Sequence, residues 1–358
     1  MKLALETLDA VRAPERVGID SIIDARAPSE FATDHVPGAI NLPVLDDAER
    51  ARVGTLYVQH SRFEARRVGA ALVARNVAAM LDGPLAEMPR SWRPVVYCWR
   101  GGQRSGALAV ILQQVGWPVR VIDGGYRAYR RVVARMLYDA PFPAPLWVLD
   151  GDTGTGKTAL LGLLAARGVQ VLDLEAMARH RGSLFGRMAG GQPTQKAFES
   201  ALALAISGLD PTRPVLVEAE SHRIGRIMVP PALWTAMRTA PRLRIEAPLD
   251  ARAALLARDY AQILVDPGQL VGRIEALRPW HSRARIEEWQ GLARTGAAQA
   301  LARALLAEHY DPRYRRSRAA QPEVPVQVLP VERLDAPALE AAAGEIERRM
   351  AEIGRIID

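Results

Sequence analysis

Short apolar runs rich in Val, Ile and Leu alternate along the chain with longer stretches in which apolar residues recur every three or four positions. The runs read as buried strands and the longer stretches as amphipathic helices, the rhythm of an α/β protein. In the first part, "GIDSIID" (18–24), "RPVVYCW" (93–99) and "VRVIDGG" (119–125) predict strands. "FEARRVGAALVARNVAAML" (63–81) and "RSGALAVILQQVG" (104–116) predict helices. A basic helix, "YRAYRRVVARML" (126–137), then meets "YDAPFPAPLW" (138–147). There Pro141, Pro143 and Pro145 each remove a backbone donor and disfavour helix in the residue before. The pattern resumes as strand, Gly-rich turn and helix in "PLWVLDGDTGTGKTALLGLLAARG" (145–168). "VQVLDLE" (169–175), "RPVLVEAE" (213–220), "RLRIEAP" (242–248) and "VPVQVLP" (324–330) continue as strands, and "APALEAAAGEIERRMAEIG" (336–354) closes as a helix. Two α/β domains follow, 1–137 and 147–358, joined by a Pro-rich linker at 138–146; the second carries a basic helical C-terminal region.

Composition narrows the class. A chain of 358 residues with 49% hydrophobic and 24% charged positions can bury two cores of ordinary size. No apolar stretch approaches the length of a membrane span, and "MKLALETLDAVRAPER" lacks the order of a secretory signal, so a cytoplasmic protein is expected, without a membrane partner. The single cysteine excludes an internal disulfide and a multi-cysteine zinc site. Net charge is +7, but only Lys2, Lys157 and Lys196 are lysines, so arginine carries nearly all of it. A polyanion partner and a bias toward arginine explain that charge equally well.

Gly151-Asp-Thr-Gly-Thr-Gly156-Lys157-Thr158 fits G-x-x-x-x-G-K-[ST] between a strand and a helix. Gly151, Gly154 and Gly156 would let backbone N–H groups turn inward around phosphate oxygens at a helix N-terminus. Lys157 would reach the terminal phosphate and Thr158 would ligate Mg²⁺. In a chain that writes almost every cation as Arg, a lysine here marks a need for a compact ammonium. An acidic residue at a later strand end would complete the site: Glu218 first, then Glu220, with Asp173 and Glu175 as alternatives. Each is also readable as a solvated strand end. The motif gives a phosphate-bearing ligand, without specifying a nucleotide or hydrolysis.

The only cysteine opens a second loop, Cys98-Trp99-Arg100-Gly101-Gly102-Gln103-Arg104-Ser105, which fits C-x-x-G-x-x-R-S. Successive N–H groups and the following helix would stabilise a thiolate and an anion beside it, with Arg100 and Arg104 as charged donors and Gly101, Gly102, Gln103 and Ser105 as the cradle. Tyrosine-phosphatase-like and rhodanese-like enzymes both use such a loop; the bland alternative is a small buried core cysteine. Upstream, "IIDARAPSEFATDHVPGAINLPV" (22–44) resembles the opening signature of the rhodanese superfamily, and "VIDGGYRAY" (121–129) its closing strand and helix. The resemblance favours sulfur-type chemistry over phosphate ester hydrolysis. With no second cysteine, an adduct on Cys98 needs an external acceptor.

A rhodanese-like domain fused to a P-loop domain resembles the bacterial tRNA 2-selenouridine synthases. The likeness extends to "DDAERARVGTLY" (46–57), "DLEAMARHRGSLFGR" (173–187), "VEAESHRIGRIMVP" (217–230) and "YDPRYRR" (310–316). It implies an N-terminal rhodanese-like domain followed by a P-loop NTPase-like parallel α/β domain. It also implies a tRNA partner carrying a wobble 2-thiouridine, geranyl diphosphate and selenophosphate as co-substrates, and with them a separate enzyme supplying selenophosphate; Mg²⁺ is expected from the Thr158 motif. The sulfur would be geranylated and then replaced by selenium; because a diphosphate suits the Gly151–Thr158 cradle, our own allocation puts geranyl diphosphate there and selenium chemistry at Cys98. Arg179, His180, Arg181 and Ser183 would face phosphates. "RIEALRPWHSRARIEEW" (273–289) and "YDPRYRR" would offer Arg278, Trp280, Arg283, Arg285, Arg313, Arg315 and Arg316 to tRNA, although an amphipathic helix with Trp280 and Trp289 in its core reads the same pattern. Two rivals stand beside this: a sulfurtransferase regulated by an ATPase domain, and an RNA-binding regulator built on two degenerate enzyme folds. Intact Cys98, Lys157 and Thr158 argue against the second.

Overall fold

The computed structural model describes residues 2–100, 102–180, 190–259, 267–320 and 322–357. The chain divides into two compact units, residues 1–141 with 193–208, and residues 142–192 with 209–358. The sequence reading assigned all of 147–358 to the second domain. The helix Gln195–Ser207 instead belongs to the first unit, where Arg130 binds Glu199 and the Ser200 hydroxyl (3.1 Å). Local periodicity shows that a segment is a helix; it does not say which core that helix joins.

The first unit is built on a parallel sheet of β1 (Lys2–Leu3), β2 (Ser21–Asp24), β3 (Ala39–Asn41), β4 (Pro94–Tyr97) and β5 (Arg120–Ile122), in the order β1-β5-β4-β2-β3. Every residue of β4 is buried, as expected for a central strand covered on both faces. The helix Gln103–Val115 buries Ser105, Leu108, Ala109 and Leu112, one stripe at three- and four-residue spacing, and ends on Gly116 in the left-handed region. The helix Arg62–Asp82 covers the core formed by Ile23, Val96 and Leu108 through Leu72, Val73 and Val77.

The second unit carries a parallel sheet of β6 (Leu146–Gly151), β7 (Gln170–Leu172), β8 (Val215–Glu218), β11 (Arg242–Glu246) and β12 (Val326–Pro330), ordered β12-β11-β6-β8-β7; β9 (Arg223–Ile224) and β10 (Ile227–Met228) form a separate antiparallel hairpin. Leu160, Leu161 and Leu164 of the helix Lys157–Ala166 pack on Leu149, Leu216 and Leu243, together with the closing helix Ala336–Ile357. A further apolar cluster joins Leu277, Ile286, Trp289 and Leu305. Trp289 is fully buried there, so it is a core residue. Among the described residues no helix is long and apolar enough to cross a membrane.

Candidate functional sites

The Cys98 loop lies between the end of β4 and the helix Gln103–Val115, with Gly102 at its N-cap. Parallel strand followed by helix is the geometry that gathers backbone N–H groups at a strand's carboxyl end. Cys98 is 4% exposed, and the Ser105 hydroxyl donates to its Sγ at 3.2 Å. Burial raises the thiol pKa, but the Ser105 hydroxyl, the N–H groups of Ser105 and Gly102, and the Arg104 charge outweigh it and hold the pKa below its usual value. Arg104 is held in turn by Glu30 (2.6 Å), which also binds Arg50 (2.8 Å). Glu30 stood in the sequence only as part of a family signature; its use as the partner of a loop arginine is a tertiary fact. Arg100 and Gln103 are exposed, and Gly101 lies outside the described residues.

The signature residues Asp24 and Arg26 form the support beneath this loop. Both are fully buried; Arg26 binds Asp24 at 2.6 Å and the Asp34 carbonyl at 2.7 Å, and lies 3.9 Å from the Tyr126 ring centroid. Tyr97, next to Cys98 in sequence, donates its hydroxyl to Asp24 (2.7 Å), and the Tyr126 N–H donates to the Cys98 carbonyl (2.8 Å). A buried ion pair with every lone pair answered fixes a unique arrangement, which suits a loop that must present one sulfur in one place.

The Gly151–Thr158 loop closes against its own strand. A Cβ on Gly151 would stand 2.6 Å from Thr155 Oγ1 and 3.0 Å from the Ile245 carbonyl, so only glycine fits. Gly156 has φ +80° at the N-cap of the helix. Lys157 Nζ donates to the Gly151 carbonyl (2.8 Å) and the Asp152 carbonyl (3.3 Å), which curls the ammonium over the loop. Thr158 donates to Glu175 (3.2 Å), and the Glu175 N–H donates to Glu218 (2.7 Å). Glu218, Glu220 and Glu175 thus gather beside Thr158, whereas Asp173 caps the helix Leu174–Ala178 through the Ala176 N–H (2.8 Å). Burial, then the charges of Glu175 and Asp173, push Glu218 up to about 9. Burial and Glu175 push Glu220 up to about 8. Arg179 is the exposed, left-handed C-cap of that short helix and the His180 N–H donates to the Glu175 carbonyl (3.0 Å); Arg181 and Ser183 lie outside the described residues.

The loop opens into a cavity of about 690 Å³ whose wall also includes Leu256, Leu277, Trp280 and Tyr310, with Leu256 packed directly on the loop at Gly154. Trp280, offered by the sequence as a tRNA contact, stands in this wall, with the Arg313 guanidinium 4.5 Å from its ring centroid. His309 also lines it, next to His281 (2.9 Å); burial and Arg313 push its pKa down to about 4, so it is neutral near pH 7. The other proposed tRNA arginines divide, among the described residues, into paired and unpaired ones. Arg278 pairs with Glu275, Arg283 with Glu287, and Arg285 with Glu288 and Glu308; Arg315 and Arg316 are exposed.

Comparison with known proteins agrees with both loops. A rhodanese-like domain model matches residues 6–131, and a tRNA 2-selenouridine synthase AAA domain model matches residues 144–285. The chain is 36% identical over 334 residues to the tRNA 2-selenouridine synthase of Chromohalobacter salexigens, covering 85% of this chain and 90% of that protein. It is 36% identical over 323 residues to that of Cupriavidus necator, covering 82% and 87%. With that of Shewanella halifaxensis it shares 38% identity over 261 residues, covering 71% and 70%. Two parallel α/β units, each with a Gly-rich loop at the carboxyl end of a central strand, and a relative 36% identical and matched over 90% of its length place this chain in the tRNA 2-selenouridine synthase family.

Proposed function

We propose that the protein converts the wobble 2-thiouridine of tRNA into 2-selenouridine in two steps: S-geranylation at the Lys157 loop and selenium insertion at the Cys98 loop. The observation that carries the first assignment is the lining of the 690 Å³ cavity, which combines the phosphate loop (Thr153–Thr158) with Leu256, Leu277, Trp280 and Tyr310. That pairing suits an allylic diphosphate better than a nucleotide. In this step the thiocarbonyl sulfur attacks C1 of geranyl diphosphate, the C1–O bond breaks, diphosphate leaves with the electron pair and the uridine N3 proton is released. Lys157 and the loop N–H groups stabilise the departing diphosphate. Thr158, with the Glu175 carboxylate beside it (3.2 Å), would be the residue to hold Mg²⁺ together with water and diphosphate oxygens, where the ion would neutralise charge on the leaving group.

Alkylation turns a thiocarbonyl into a thiolate leaving group. Selenophosphate then adds through selenium at C2 and geranylthiol departs; water takes the phosphoryl group as phosphate, leaving the C2 selenocarbonyl and a proton on N3. Cys98, with its lowered pKa and its N–H cradle, supports a role in holding selenium or selenophosphate. The reading places the enzyme in the cytoplasm, supplied with selenophosphate by a separate enzyme.

Nucleoside mass spectrometry of 2-thiouridine tRNA, incubated with geranyl diphosphate and then selenophosphate, tests both steps. The expected outcome is a geranylated nucleoside followed by selenouridine, with Cys98→Ser stopping at the geranylated stage and Lys157→Ala blocking its formation. Unmodified tRNA, with nucleotide turnover at the Lys157 loop, would return the protein to a sulfurtransferase coupled to an ATPase.

A further inference from the structure

Strands β6 and β11 are unusual for the middle of a parallel sheet, where both faces are normally apolar. Leu149, Leu243 and Ile245 point into the apolar core. The alternate positions carry charge: Asp150 on β6, and Arg242 and Arg244 on β11, with Arg244 opposite Asp150 in register. Asp150 is answered twice, by Arg244 (3.1 Å) and Arg318 (3.3 Å), and Arg318 also reaches Asp152 (2.8 Å). Arg242, 8% exposed, shares that carboxylate only at a distance: Asp150 attracts it, Arg244 and Arg318 repel it, and no hydrogen bond or ion pair to its guanidinium is found among the described residues. Three arginines around one carboxylate leave an excess of positive charge that an anion from outside the chain would balance.

Arg242 and Asp150 line a second cavity of about 510 Å³ within the same unit. That size falls inside the range of small-molecule sites, about 300–1,000 Å³. Its walls bring the Trp234 and His222 rings together, centroids 5.9 Å apart, and add the exposed Arg238. Glu220, Arg313 and Tyr314 line both this cavity and the Lys157 cavity, so the two share a wall. An excess of positive charge beside an aromatic pair is the chemistry of a flat, anionic ligand, a base with its phosphate.

We propose that this second cavity receives the nucleotide to be modified, its base against Trp234 and His222 and its phosphate toward Arg242 and Arg238. This rests on the reading of the Lys157 cavity as the allylic diphosphate site: the two cavities adjoin at Glu220, Arg313 and Tyr314, so a base held in one would bring its sulfur to the edge of the donor site. A nucleotide of the anticodon loop is single-stranded, so turning it into a pocket costs little pairing energy.

The test is photocrosslinking of the full chain to tRNA bearing 4-thiouridine at the wobble position, with crosslinks mapped by mass spectrometry. It needs no donor substrate. Crosslinks at Trp234 or His222 are expected, and Trp234→Leu and Arg238→Ala should raise KM for tRNA about tenfold while geranyl diphosphate affinity stays within about twofold. Arg242→Met removes part of that excess charge and should raise the thermal midpoint while weakening tRNA. Crosslinks confined elsewhere with unchanged KM, or labelling of this cavity by an azido-ATP probe in preference to tRNA, would overturn the proposal. If wild-type protein fails to geranylate tRNA yet crosslinks at Trp234, the reading of the donor site fails and the nucleotide pocket stands.

Discussion

The Ser105 hydroxyl donates a hydrogen bond to Cys98 Sγ at 3.2 Å, from the first turn of the helix that follows the cysteine. A hydrogen bond to an ionised group contributes about 1.5–3 kcal/mol, equivalent to about one to two pH units of titration. Ser105→Ala should therefore raise the Cys98 pKa. Since the thiolate is the reactive form, the pH profile of iodoacetamide alkylation should move to higher pH, with reactivity near pH 7 falling about tenfold. An unshifted profile would mean that the backbone N–H groups and Arg104 alone set the thiolate.

The carboxyl cluster beside Thr158 makes stability depend on pH with a defined sign. Glu218 and Glu220 have folded pKa values raised above those of the unfolded chain, about 9 and 8 against a usual value of 4.5. Between about pH 4.5 and 9 the folded state holds protons that the unfolded state has released, so stability falls as pH rises through that window. The thermal midpoint of the second unit should drop steadily from pH 5.5 to 8.5, and Glu218→Gln should flatten the slope. Mg²⁺ with diphosphate should flatten it also, by favouring the ionised carboxylates.

Lys157 and Gly156 separate charge from shape in the same loop. Lys157→Ala removes one charge-assisted donor, so titration calorimetry should show diphosphate affinity about tenfold to a hundredfold weaker, following about 1.5–3 kcal/mol. Gly156→Ala keeps the charge but imposes φ +80° on a residue with a Cβ, which would also stand 3.0 Å from Leu339 Cδ2. It should lower the thermal midpoint of the second unit, with a loss of about 1–2 kcal/mol.

The helix Gln195–Ser207 completes the first unit. Within that unit Ser200 donates to the buried Asp34 (3.0 Å) and Glu199 binds Arg130 and the Tyr138 hydroxyl (2.7 Å). Residues 1–141 expressed alone would leave Asp34 and Arg130 short of these partners. Breaking a buried ion pair costs about 3–5 kcal/mol, or about 10 °C in thermal midpoint for a unit of this size. Joining 193–208 to the fragment through a flexible linker should restore most of that loss; equal stability of the two would show that the helix is dispensable.

Much of the fold was legible in the chain. The buried runs at 94–97, 146–151 and 215–218 became central strands, and the helix expected at 63–81 spans Arg62–Asp82. Periodicity reports burial on one face or both, and these elements are stabilised by that burial. Both anion loops were legible too, because Gly-rich strand-to-helix turns are local: the glycines, Lys157, Cys98 and Ser105 lie within a few residues of one another. Even the buried tryptophan followed a rule of pattern, since Trp289 lies on the apolar stripe with Ile286 and Ala293.

The information legible in the chain is therefore local: two α/β units, two Gly-rich strand-to-helix loops and, through resemblance, a family. Tertiary structure decided what meets across the chain. It set Glu30 against Arg104, made Asp173 a helix cap while keeping its charge within reach of Glu218, put Trp280 in the wall of the Lys157 cavity and returned 195–207 to the first unit. It also revealed Arg242, whose strand reads "RLRIE" and whose inward charge carries meaning only beside Asp150, Trp234 and an empty volume. Hydrophobic burial is written residue by residue and survives as a pattern; the pairing of charges depends on distances between remote segments, which no local pattern contains.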